Sequence, residues 1–242
     1  MSNDLIYQTV KKNCFEIFVF YYEEEDEKRE VDCSSITSYK FIILCRACKN
    51  TAGDDGASGT TVVVNIGDIA YSDGTVSANY DSTKKSEGIV LEVVDGYATK
   101  IVNLDQTKLA WSTEEYDEYE TDATSKTDGK ENLESIKAID GWQDKYPVFK
   151  WCDEYTDASN NSEWYLPAQD ELNQIYLAKE TINEAIEKIT SAEGTATLVT
   201  DDLYWSSTEL HSTAVCNQKF TNGDYGMSHK DSVLATRAIR SF

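Results

Sequence analysis

Two β-rich blocks enclose a helical one, and this order limits most what the chain can fold into. From Thr61 the pattern is β. Val62-Val63-Val64 leads into Gly67-Asp68-Ile69-Ala70-Tyr71, and Ser72-Asp73-Gly74-Thr75 reads as a hairpin turn, because Asp-Gly supplies the positive φ of a tight turn. Ile89 to Val94, then Asp95-Gly96, then Tyr97 to Leu104 reads as a second hairpin, and Leu109-Ala110-Trp111-Ser112 as a short strand. The spacing then changes to three and four. Leu133, Ile136 and Ile139 share a face; Pro147 suits a first helical turn and puts Val148, Trp151, Cys152 and Tyr155 on one side. A third helix starts at Leu166-Pro167 with Leu172, Ile175 and Tyr176 inward. It breaks near Lys179, continues through Ile182, Ala185, Ile186 and Ile189, and stops at Gly194. From Leu203 the pattern is β again: Leu203 to Ser207, Ala214 to Phe220, a turn at Thr221-Asn222-Gly223-Asp224, Tyr225 to His229, and a closing strand from Leu234 to Ile239. Strands and helices grouped in separate runs describe one α+β domain over residues 61–242, with short antiparallel strands, a terminal β-hairpin region and two to three helices.

Three motifs punctuate the second half. Trp164-Tyr165-Leu166-Pro167-Ala168-Gln169-Asp170-Glu171-Leu172 opens it, Tyr204-Trp205-Ser206-Ser207-Thr208-Glu209 follows, and Arg237-Ala238-Ile239-Arg240-Ser241-Phe242 ends it. In this order they resemble the Lcl C-terminal domain family, whose members read W-x-L-P-x-x-x-E-L, then Y-W-S-S-[ST]-E, then a terminal V-R-x-V-R. The likeness extends upstream to about Ile66 and leaves the first 60 or so residues uncovered. It implies a C-type-lectin-like fold in which Trp164, Leu166, Pro167, Glu171, Leu172, Tyr204, Trp205, Ser206, Ser207, Glu209, Arg237 and Arg240 are structural. Many family members carry Ser where Ala168 stands, so this helix lacks its side-chain cap, a loss of about 1 kcal/mol.

Residues 1–60 read as a leader and tether. Phe15-Glu16-Ile17-Phe18-Val19-Phe20-Tyr21-Tyr22 is an apolar β-type run followed at once by Glu23-Glu24-Glu25-Asp26-Glu27, which is not a secretory signal. Lys40-Phe41-Ile42-Ile43-Leu44-Cys45-Arg46-Ala47-Cys48 resembles the end of a bacterial lipoprotein signal, with Cys48 as the lipidated residue. The polar stretch Asn50 to Gly59 then acts as a flexible tether. Its apolar run is shorter than a normal signal core, and Arg46 interrupts it. The location this implies is the cell envelope or surface, with membrane contact only through that lipid.

A net charge of −22 opposes nucleic acid, sulfated polysaccharide and anionic lipid surfaces as partners. Cys45-Arg46-Ala47-Cys48 is C-x-x-C in form, but zinc needs two further ligands, and neither a second such pair nor a suitably spaced histidine exists. No metal and no cofactor is therefore expected. Glu114 to Glu120 lacks the D-x-D-x-D-G spacing of a calcium loop and reads as a solvated acidic loop. The E-P-N, Q-P-D and W-N-D sequences of calcium-dependent sugar binding do not occur. Ser206 and Ser207 lack a base with an orienting acid, so they do not read as nucleophiles. The formylglycine-generating enzymes, relatives by fold, need reactive cysteines near the C-terminus, where only Cys216 is found. A Cys152–Cys216 disulfide requires Cα atoms within about 7 Å.

The remaining candidate is the terminal β region. Its alternation presents Asn217, Lys219, Asn222, Asp224, Tyr225, His229 and Lys230 as polar and aromatic groups that need not pack, the chemistry of adaptable recognition. The region resembles the contact surface of lectin-fold variable proteins from diversity-generating retroelements, though it is poor in Asn. The expected function is non-catalytic binding of a protein or glycan ligand. Collagen-like adhesins carrying the domain bind glycosaminoglycans, a ligand that this net charge opposes. An envelope lipoprotein without a ligand is the alternative.

Overall fold

The computed structural model describes residues 6–12, 15–21, 43–47, 63–113, 118–155, 163–194 and 196–242. The chain divides into two compact units, Met1–Thr60 and Thr61–Phe242. Where the sequence reads as leader and tether, the first unit holds a three-stranded antiparallel sheet: β1 (Ile6–Lys12), β2 (Phe15–Tyr21) and β3 (Ile43–Ala47), in that order. The two apolar runs thus supply ladder strands at Phe15–Tyr21 and Ile43–Ala47. Cys48 and the acidic run 23–27 lie outside the described residues.

The second unit is α+β. One five-stranded sheet holds β8 (Thr107–Ala110), β9 (Leu203–His211), β10 (Ala214–Lys219), β11 (Tyr225–His229) and β12 (Val233–Thr236), in the order β11-β10-β9-β12-β8. The other holds β4 (Ile69–Tyr71), β5 (Val76–Ser77), β6 (Ser86–Val94), β7 (Tyr97–Val102) and β13 (Ile239–Ser241), in the order β13-β7-β6-β4-β5. Asp95 and Gly96, at φ 52° and 83°, make the β6–β7 turn from two left-handed residues, as the Asp-Gly signal requires. The expected closing strand is in fact two. β12 sits between β9 and β8, the chain crosses at Arg237-Ala238, and β13 joins β7 in the other sheet.

Among the described residues there are five helices, more than the two or three expected: α1 (Gly129–Lys137), α2 (Trp142–Lys145), α3 (Pro147–Glu154), α4 (Gln169–Leu177) and α5 (Lys179–Glu193). The break near Lys179 separates α4 from α5, and Gly194 ends α5 at φ 73°. α2 is a single turn, too short to show a period.

Three tryptophans, Trp111, Trp164 and Trp205, are fully buried. Each contributes roughly 5 kcal/mol of apolar burial as an upper estimate. Trp111 meets Tyr146 and Phe149 edge-on at 5.6 and 5.0 Å, seating α3 on β8.

Candidate functional site

The three motifs of the second half form the frame around the terminal hairpin. Glu171, in the first turn of α4, is buried and serves four partners. Its Oε2 accepts from the backbone N–H of Ala168 and of Gly129, each at 2.9 Å, so one carboxylate closes the starts of α4 and α1. Its Oε1 accepts from the Tyr165 hydroxyl at 3.2 Å and lies 3.0 Å from Lys100 Nζ. Burial and this carboxylate push the Tyr165 phenol far above its ordinary range. Ala168 carries no capping side chain, yet the first donors of α4 are met from elsewhere. Gln169 N–H donates to Thr208 Oγ1 at 3.0 Å and Asp170 N–H to Lys126 O at 2.8 Å.

The Tyr204–Glu209 motif is a bulged stretch of β9. Val215 pairs with Glu209 and Asn217 with Trp205, so β9 carries two more residues than β10 between those pairs. The surplus turns the hydroxyls inward. Ser206 Oγ donates to Cys216 O at 2.9 Å, Ser207 Oγ accepts from Asn132 Nδ2 at 2.8 Å, and Thr208 Oγ1 donates to Ser125 O at 2.8 Å. Trp205 Nε1 donates to Leu109 O at 3.0 Å, and Trp111 Nε1 to Ser206 O at 3.2 Å. These hydroxyls are engaged in stitching β9 to β10, α1, α4 and the 119–125 loop. His211, at the exposed end of β9, has Nδ1 3.3 Å from Thr213 Oγ1.

Lys230 corrects the sequence reading. Expected as a surface ligand-binding group, it is fully buried and paired with Glu209 Oε1. Its ammonium also donates to Tyr119 O and stands 5.0 Å above the Trp111 ring. Glu209 Oε2 accepts from Thr121 N and Oγ1, both at 2.8 Å. Once β11 ends, the chain turns inward, and Trp111 N–H donates to Lys230 O at 2.9 Å. Asn217 is likewise buried and donates from Nδ2 to Ser228 Oγ at 2.7 Å. A second buried pair joins Arg240 to Glu87 at 2.6 Å. Arg237 donates to Asn103 O at 2.8 Å and to Thr197 O, and burial pulls its guanidinium down to about 10.

The other candidates stay exposed on the hairpin, on two opposite sides. Tyr225 pairs with Gln218, Met227 with Cys216 and His229 with Ala214, so these three share one face. That face borders α4: Gln218 Nε2 donates to Asn173 Oδ1 at 2.8 Å, and Cys216 Sγ contacts Gln169 Oε1 at 3.0 Å. Partial burial and the nearby negative charge of Asp170 raise the Tyr225 phenol. Lys219, one residue out of phase with Gln218, faces the other way, and its N–H donates to Asp224 O at 2.9 Å. Asn222 and Asp224 hold the turn through Asn222 Nδ2 to Asp224 Oδ2 at 2.6 Å. Gly223 is required there at φ 81°, since a Cβ would come within 2.5 Å of the Tyr176 ring. Sequence reasoning missed Met227, which is 66% exposed against 47% for Tyr225. The two-residue period from Tyr225 was its signal.

Cys152 and Cys216 are both free; Cys152 is buried and its thiol is pushed well up by desolvation. Among the described residues no group of three or more His, Cys, Asp or Glu side chains is placed to hold a metal ion. No described helix is long and apolar enough to cross a membrane.

The frame and hairpin define an α+β domain whose polar motifs are turned inward and whose terminal hairpin is turned out. No known family profile matches the chain, and no curated protein does. A solved fimbrial protein from Bacteroides ovatus is similar in fold, with a TM-score of 0.56 at 16% identity. The likeness covers 94% of this chain and 57% of that one, so the chain spans little more than half the length of the structure it matches.

Proposed function

We propose that the protein is a non-catalytic binding module of a bacterial cell surface or envelope, recognising a protein or glycan ligand through the terminal hairpin. One observation carries this reading: Tyr225, Met227 and His229 stand exposed on a hairpin braced by α4, while the neighbouring serine, threonine and glutamate groups are engaged in internal bonds. Large apolar side chains held out on a rigid frame are the chemistry of recognition. The fold likeness to a fimbrial protein supports a surface location and an adhesin-like role. The three motifs support membership of the Lcl C-terminal domain family and its C-type-lectin-like fold. Lipidation at Cys48 is part of the same reading and would appear as added mass on native protein.

The test is a combined glycan and protein array probed with the full chain, once with calcium and once with chelator. The reading expects ligands that bind equally in both conditions and are lost with Tyr225→Ala or Met227→Ala. Binding that survives both substitutions would move the site elsewhere. An empty array would favour an envelope protein without a ligand.

A further inference from the structure

The exposed hairpin ends in an open sheet edge, and its chemistry points to what lies against it. Among the described residues β11 borders β10 alone. The other edges are treated differently. β13 is covered by Tyr165, whose N–H donates to Ile239 O at 2.9 Å and whose O accepts from Ile239 N at 3.0 Å. β5 has only two residues. In β8, Leu109 O accepts from the Trp205 indole, and Lys108 adds a charge, 3.0 Å from Asp202. β11, Tyr225-Gly226-Met227-Ser228-His229, has no Lys, Arg, Asp, Glu or Pro, and keeps unbroken register with β10. It therefore lacks the devices that normally blunt an edge.

The register also says which backbone groups face out. Lys219 N–H bonds Asp224 O, and antiparallel bonding alternates, so the Val215–Ser228 and Asn217–Gly226 pairs bond inward. The N–H and C=O groups of Tyr225 and Met227 then point away from β10. The residues with open backbone groups are the same two that expose large apolar side chains.

We infer that β11 accepts an extended polypeptide strand as a sixth strand of its sheet, from a partner carrying basic residues on either side of apolar ones spaced two apart. This rests on the binding reading above and narrows its ligand from a protein or glycan to an extended polypeptide, since only a backbone matches a row of alternating donors and acceptors. The basic character follows from charge: the chain carries −22, and Asp170 and Asp224 flank Tyr225. The same net charge opposes a second copy as the occupant.

The probe is a short synthetic peptide of alternating valine and threonine with lysine at both ends, labelled with fluorescein and titrated with the full chain. Binding is expected, with affinity falling as salt is raised. Methylating the peptide nitrogens that would face β11 keeps the charge but removes the donors, and is expected to weaken binding about tenfold, as is Met227→Pro, which deletes an outward N–H. Thermal unfolding of Met227→Pro is expected to match that of the parent, because its N–H is not bonded to β10. Equal affinity of the methylated peptide, or of Met227→Pro, would overturn strand addition, as would no binding by the parent chain. Sedimentation showing a dimer that the peptide does not disperse would also overturn it. A glycan from the array that binds the parent chain while the peptide does not would reject this inference and leave the binding module intact.

Discussion

At Glu171 a single buried carboxylate meets two helix starts, a phenol and an ammonium. Glu171→Ala is expected to lower stability by about 3 kcal/mol, seen as a fall in the urea midpoint with unchanged slope. Lys230 gives a second expectation. Lys230→Ala leaves Glu209 buried without its cation and is expected to cost about 3–5 kcal/mol, whereas removing both charges in Lys230→Met with Glu209→Gln should recover much of that loss. The buried tyrosines set the alkaline limit. Tyr71, Tyr155, Tyr165 and Tyr204 have phenols raised above their ordinary value of 10.0, chiefly by desolvation. Above pH 10 the unfolded chain releases phenol protons that the folded chain keeps, so stability present below pH 10 is lost as pH rises toward the folded values. Arg237 acts with the opposite sign above about 10, but it is one group against four buried phenols. Urea midpoints at pH 9 and 11 should therefore fall, and Tyr165→Phe should flatten the fall.

At the scale of elements, α1 and α4 start against each other. A Cβ on Gly129 would lie 2.3 Å from Leu166 O and 2.9 Å from Ala168 N, both backbone atoms that cannot swing away. Gly129→Ala is expected to cost about 3 kcal/mol in urea unfolding. Ala168→Ser should add only about 0.5 kcal/mol, below the usual value of a cap, because Thr208 and Lys126 O already bind two of the donors. These elements also show what was legible. The Asp-Gly turn, the Pro147 start, the break near Lys179 and the Gly194 stop are local chemistry, and each sits where local chemistry puts it. The α2 turn was not legible, because four residues show no period. Lys230 was misplaced because its fate depends on Glu209, 21 positions away, and on Tyr119, 111 positions away. Alternation assigned Lys219 and Tyr225 to one surface; the pairing of Gln218 with Tyr225 puts them on opposite sides. Only Tyr225 lies on the edge strand, and no side-chain pattern reveals that edge.

At the scale of the molecule, the chain carries a net charge of −22. Screening relieves its self-repulsion, so the melting temperature is expected to rise between low salt and about 0.2 M sodium chloride. Calorimetry at several salt concentrations checks this, and a flat response would mean that the local pairs already balance the field. The division of β12 and β13 between the two sheets has a consequence for synthesis. Among the described residues β12 is the sole link between β8 and the rest of its sheet, and β13 completes the other. While a ribosome is still translating codons 233–241, the nascent chain has both layers open and β8 unattached. Neither sheet can close until these residues are made, and a chain that stops before them carries two unfinished layers, a ready substrate for proteolytic surveillance.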